Sequence, residues 1–157
     1  MALAHRLLVK AARVVWRIRK PRTMGVRALL LDAEARVLLV RHSYTPYWYL
    51  PGGGVKRGER CEIALAREIE EEVGITGFEI ERVLGVYHSR REGKDDHIVI
   101  FACRIAHSGE DRPVRLDRME IADVGWFAPD ALPPDTSPAT RRRIAEYRQG
   151  ATGMGAW

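Results

Sequence analysis

The chain has 157 residues, 46% apolar and 30% charged, which suits one domain with a full hydrophobic core and excludes disordered and fibrous classes. Two cysteines, Cys61 and Cys103, make neither a disulfide framework nor a zinc pattern, so a cytoplasmic setting is expected. The net charge of +5 suggests nucleic acid at first sight, but residues 1–22 hold seven Lys/Arg and no Asp/Glu, leaving a formal −2 on the rest. The body is therefore not an electropositive nucleic-acid platform.

Residues 3–20 read as one amphipathic helix. Leu3, Leu7, Ala11, Val14 and Ile18 line one side; Arg6, Lys10, Arg13, Arg17 and Lys20 line the other. Pro21 ends it. Residues 1–21 thus form a basic helical arm. Packing against the domain or a partner subunit is favoured over contact with an anionic membrane surface, and a homodimer is left open. No apolar run reaches the roughly 20 residues of a membrane span.

Residues 25–32 and 37–40 read as two strands of a hairpin. Tyr44, Tyr47, Trp48 and Tyr49 follow. They could stack a base, but core or rim packing is the better reading of any one of them. Gly52, Gly53 and Gly54 let main chain approach a ligand. A helix over residues 61–73 docks by Leu65, Ile69 and Val73, with Gly74 as its stop.

On that helix Glu68, Glu71 and Glu72 stand at i, i+3 and i+4, within about 100° on one face. Like charges so placed weaken a helix by a few tenths of a kcal/mol per pair, and a divalent cation is the natural compensation. Oxygen ligands without a His/Cys set suit Mg²⁺ or Mn²⁺, not zinc.

After the helix, residues 78–89 read as a long strand irregular near Gly85, residues 90–96 as a turn, and residues 97–105 as a buried strand. Residues 106–119 read as a loop and residues 124–127 as a last short strand. A second helix is capped by Ser137 with Pro138 first, and ends near Gln149. The expected division is an arm over residues 1–21, a catalytic domain over 22–150 and a mobile tail over 151–157.

Gly53, Glu59, Arg67, Glu68, Ile69, Glu71, Glu72, Gly74 and Ile75 together match, without departure, the signature of the Nudix hydrolases. The chain resembles that MutT-like family. The resemblance implies an α/β/α sandwich around a mixed β-sheet, here with the extra N-terminal helix. It also implies Mg²⁺-dependent (or Mn²⁺-dependent) hydrolysis of a diphosphate linkage, in a nucleoside diphosphate joined to another moiety such as a sugar, or in a nucleoside triphosphate.

By the same resemblance, Glu68, Glu71 and Glu72 bind the metal, the Gly52 carbonyl completes the set, and Arg67 positions the catalytic glutamate. Either Glu68 or a later carboxylate, for which Glu120 is the candidate, activates water. Gly53, Glu59 and Gly74 are structural. Arg27, Arg41, Tyr44 and Trp48 are weak candidates for substrate contact, and Glu72→Gln is expected to abolish hydrolysis with thermal stability nearly unchanged. RNA 5′-pyrophosphate removal and a non-catalytic nucleotide sensor are the alternatives. RNA is not an expected partner, because the basic arm alone supports it.

Overall fold

The structure is a computed structural model that describes residues 22–90, 95–106, 113 and 119–157. The expected arm helix lies outside these residues, as does most of the loop expected over 106–119. The elements are β1 (Arg22–Leu31), β2 (Val37–His42), β3 (Trp48–Tyr49), α1 (Cys61–Val73), β4 (Phe78–Ser89), β5 (Asp95–Ile105), β6 (Ile121–Phe127), α2 (Pro138–Arg148) and β7 (Gly153–Ala156).

The sheet runs β3-β2-β1-β5-β4-β7, and β6 pairs with β2. It is mixed. β1 lies parallel to β5 through ten consecutive partners, from Arg22↔Asp95 to Leu31↔Arg104, while β4 is antiparallel to β5. The turn between β1 and β2 is locally encoded: the Asp32 carboxylate accepts from the Glu34 and Arg36 amides at 3.1 and 2.7 Å, an Asx-type closure.

Alternate residues of β1 face opposite layers, as strand periodicity requires. Val26, Ala28 and Leu30 meet Leu65, Ile69 and Val73 of α1. Leu29 and Leu31 meet Trp48, Leu50 and Ile144 of α2 on the other side. Two helices on two faces of one mixed sheet give the expected α/β/α sandwich. Among the described residues no helix is long and apolar enough to cross a membrane.

α1 has the expected limits: Gly74, at φ 70°, closes it with its N–H on the Glu70 carbonyl. α2 begins on Ser137, whose side chain accepts from the Thr140 amide at 3.1 Å. β4 is irregular twice, between Ile80 and Arg82 and between Val83 and Gly85. β5 starts at Asp95, so the end of the expected turn belongs to the sheet.

The expected mobile tail is corrected. Residues 153–156 form β7, parallel to β4 from Gly85↔Gly153 to His88↔Ala156, and the Trp157 N–H continues the ladder onto the His88 carbonyl at 2.8 Å. The strand seats where the Tyr87 hydroxyl donates to Glu146 at 2.5 Å and the Arg143 guanidinium lies 3.7 Å from the Tyr87 ring centroid. A Cβ on Gly153 would overlap the Tyr87 hydroxyl, so the approach needs glycine.

Candidate active site

The segment after β3 lies along β1. The Ala28 and Val26 amides donate to the Pro51 and Gly53 carbonyls, each at 2.9 Å, and Val55 N–H returns to the Met24 carbonyl at 2.8 Å. Gly52 between them has φ +136°, and a Cβ there would overlap the Val26 carbonyl. Only glycine fits this conformation without strain. It turns the Gly52 N–H to the Glu72 carboxylate at 3.0 Å, while the Gly52 carbonyl accepts no hydrogen bond among the described residues. At Gly53 a Cβ would strike the Glu68 carboxylate, so the missing side chain is what lets Glu68 sit against the loop.

Arg67 ties the loop to the helix. Its Nε and Nη2 donate to the two Glu59 oxygens at 2.8 and 2.9 Å, a bidentate fork. Nη2 also reaches the Gly54 carbonyl at 3.0 Å, and Nη1 reaches Glu68 at 2.7 Å and Glu71 at 3.2 Å. Hydrogen bonds from Arg67 and from the Lys56 amide bring the Glu59 carboxyl down to about 2. Glu59 therefore holds Arg67, and Arg67 aligns Glu68 and Glu71.

Glu72 is in a different position. It is 7% exposed, and burial, the largest effect, pushes its carboxyl up to about 7. The Gly52 N–H and the positive field of Arg27 oppose that rise; the negative charges of Glu68 and Glu120 add to it.

These groups face a cleft of about 670 Å³, lined by Glu68, Glu71 and Glu72 together with Arg27, His42, Tyr44, Asp96 and Glu120. Glu120 immediately precedes β6 and accepts from the Tyr44 hydroxyl at 3.4 Å. Of the four weak substrate candidates, Arg27 and Tyr44 are on the cleft and the other two are not. Trp48 is buried in the α2-side core. Arg41 is its cross-strand partner, lies 5.3 Å from its ring centroid and pairs with Asp123 at 3.3 Å.

His42, the last residue of β2, is 6% exposed and lowered to about 4 by burial and by Arg27, so its ring is neutral at pH 7. Asp96 was hidden in an expected turn. The parallel register Thr23↔Asp96 places it on the cleft, with the Thr23 hydroxyl donating to it at 3.0 Å.

Among the described residues no three His, Cys, Asp or Glu side chains converge closely enough to hold an ion by themselves. Mg²⁺ does not require that, since it takes one or two carboxylates and keeps several waters. Carboxylates beside an unengaged backbone carbonyl are a hard-oxygen donor set, and they fit such a cation.

The chain is similar in sequence and in fold to known proteins. The chain matches the NUDIX domain over residues 21–147. It is 33% identical over 129 residues to a Bacillus subtilis (strain 168) protein provisionally named 8-oxo-dGTP diphosphatase, covering 82% of each chain. A MutT NUDIX hydrolase structure from Burkholderia pseudomallei superposes with a TM-score of 0.65 at 30% identity, covering 80% of this chain and 97% of that one. A UDP-X diphosphatase structure gives 0.66 at 27% identity, covering 98% and 81%. Because the family match extends through both helices and six of the seven strands, and not only through the glycine loop and acidic helix, the chain belongs to the Nudix family and is a hydrolase of phosphorus-containing anhydrides.

Proposed function

We propose that the protein hydrolyses the diphosphate linkage of a small nucleotide: a nucleoside diphosphate joined to another moiety, such as a nucleotide sugar, or a nucleoside triphosphate. The observation that carries this reading is Glu72, a buried carboxylate on the floor of a cleft whose only direct hydrogen-bond donor among the described residues is the Gly52 amide. A carboxylate in that state is poised for a cation. The names of two relatives, one provisionally named 8-oxo-dGTP diphosphatase and the other a UDP-X diphosphatase, support nucleotides as the substrate class.

Nudix hydrolases generally need divalent metal ions. In this chain Glu68, Glu71, Glu72 and the Gly52 carbonyl would hold Mg²⁺ or Mn²⁺. When bound, such an ion neutralises diphosphate charge and lowers the pKa of a coordinated water. The protein's own contribution is placement. Arg67 holds Glu68 and Glu71 against the loop, and Arg27, on the lining of the same cleft, offers a guanidinium to phosphate. Either Glu68 or Glu120 takes the proton from the attacking water; both carboxylates border the same cleft.

The test is a screen of nucleotide sugars, dinucleotides, dinucleoside polyphosphates, nucleoside and deoxynucleoside triphosphates and triphosphorylated RNA, with Mg²⁺ and with Mn²⁺. Mass spectrometry in ¹⁸O water then locates the phosphorus attacked. Metal-dependent turnover of a small nucleotide is expected. Turnover of RNA ends alone, or binding with no turnover of any diphosphate, refutes the reading.

A further inference from the structure

The acidic cleft does not end at Arg27. It opens into a second cavity of about 500 Å³, and the two share Arg27, His42, Tyr44, Asp96 and Ile98. The register of β1 accounts for this. Arg27 alternates with Val26 and Ala28, which face α1, and so follows Leu29 and Leu31 to the α2 side. There its guanidinium lies 5.8 Å from the Tyr49 ring centroid and 5.9 Å from that of Trp157, while donating to the Leu50 carbonyl at 2.6 Å.

The fold uses several features of this annex only in part: the Tyr44 ring stacks on His42 with centroids 5.1 Å apart, and the Tyr47 ring meets Tyr49 edge-on at 6.4 Å. Tyr44 and Tyr47 on its lining are 71% and 45% exposed, a poor use of aromatic surface in a folded core. His42 is buried, neutral at pH 7, and its Nδ1 has no hydrogen-bond partner among the described residues. Such a group is normally satisfied. Trp157 closes one wall. Its position is fixed by the ladder bond to His88, by the donation from Arg143 to the Ala156 carbonyl at 3.3 Å, and by its contact with Tyr87, ring centroids 6.4 Å apart.

We propose that the annex receives the heterocyclic base of the nucleotide, and that Trp157, carried by β7, is a specificity-determining residue for it. This rests on the nucleotide-hydrolase reading. The chemistry favours a base over the other parts of such a substrate. Tyrosine and tryptophan faces suit a flat π-system. Asp96 accepts from ring or exocyclic N–H groups and repels phosphate, and the neutral His42 offers a directional partner without charge. Among the described residues lining the annex, Arg27 is the one cation, and it stands where the two cavities meet. A nucleotide would thus span both, base among the aromatics and phosphates against the acidic helix.

The experiment uses the full chain and calorimetric titration with the four nucleoside 5′-monophosphates and with ribose 5-phosphate, their base-free counterpart. Wild type should bind at least one monophosphate more tightly than ribose 5-phosphate. Trp157→Ala should weaken that binding about ten-fold, the scale of one lost stacking contact, and collapse the ratio between base-bearing and base-free ligands; Trp157→Phe should restore most of it. Equal binding of both ligands to wild type, or equal weakening of both by Trp157→Ala, overturns the inference.

Should Trp157→Ala not fold, Tyr47→Ala decides: a reduced base preference supports the annex and a wild-type preference refutes it. Base-selective binding without turnover of any diphosphate would overturn the hydrolase reading and leave the annex standing.

Discussion

Glu72→Gln separates the cost of burying a charge from the use made of it. In the folded protein the carboxyl is raised from its ordinary 4.5 to about 7. Below pH 4.5 it is protonated whether the chain is folded or not, and burial imposes no penalty through ionisation. As pH rises through the window from 4.5 to about 7, the unfolded chain releases its proton first, so stability falls; above the window the loss is constant. The displacement corresponds to about 3 kcal/mol. Glutamine keeps an oxygen for the Gly52 N–H and has no charge to bury. Its amide protons add a desolvation cost of about 1 kcal/mol where the cleft does not solvate them.

Metal-free Glu72→Gln should therefore melt above metal-free wild type at pH 8, by about 5 °C at the 2–4 °C per kcal/mol usual for this chain length. Near pH 4.5 that advantage should vanish, and the amide cost should leave the mutant level with wild type or slightly below it. The sequence alone suggests nearly unchanged stability; burial of Glu72 makes the outcome pH-dependent. Calorimetry in a chelator at both pH values measures it, with hydrolysis assayed in parallel and expected to be lost. A mutant less stable than wild type at pH 8, or a difference equal at both pH values, would refute the reasoning.

Gly53→Ala should lower kcat/KM about 100-fold, the usual effect of displacing a reacting group by about 1 Å, because the new methyl collides with the Glu68 carboxylate; circular dichroism should show the fold retained. Glu120→Gln should reduce kcat at least 100-fold if the loop carboxylate takes the proton from water, and a near wild-type pH–rate profile would transfer that role to Glu68. Ser137→Ala removes the cap from α2. It should cost about 1 kcal/mol, seen as a Tm lower by a few degrees, with kcat and KM at wild-type values.

What was legible in the sequence follows from where the determinants lie. Both ends of α1 are set locally, by the loop before it and by Gly74 in a left-handed conformation, so its limits could be read directly. β7 could not. Its residues, Gly-Met-Gly-Ala, have no strand periodicity and only partial burial; what seats them is the gap beside Tyr87, a residue far away in the chain. The aromatic run before the glycines was ambiguous for a related reason. Only the pairing of β2 with β3 separates Trp48, turned inward against Arg41, from Tyr44 and Tyr47, which line the annex. Asp96 and Thr23 become neighbours by a parallel pairing between strands seventy-three residues apart, which no local pattern announces.

The crowding of Glu68, Glu71 and Glu72 argued from sequence for a compensating cation, and the structure changes which carboxylate carries that argument. Arg67, from the same helix, donates to both Glu68 and Glu71 and is itself held by Glu59. Two of the three charges are thus partly neutralised by the protein, and repulsion at i, i+3 and i+4 is worth only a few tenths of a kcal/mol per pair in any case. Glu72 receives one backbone N–H and the more distant field of Arg27. Its burial costs several times more than the repulsion does. The argument for an external cation therefore rests on Glu72, the most buried of the three carboxylates, more than on the acidic stripe as a whole. In the proposed metal site Glu68 and Glu71 would complete the donor set from positions that Arg67 holds.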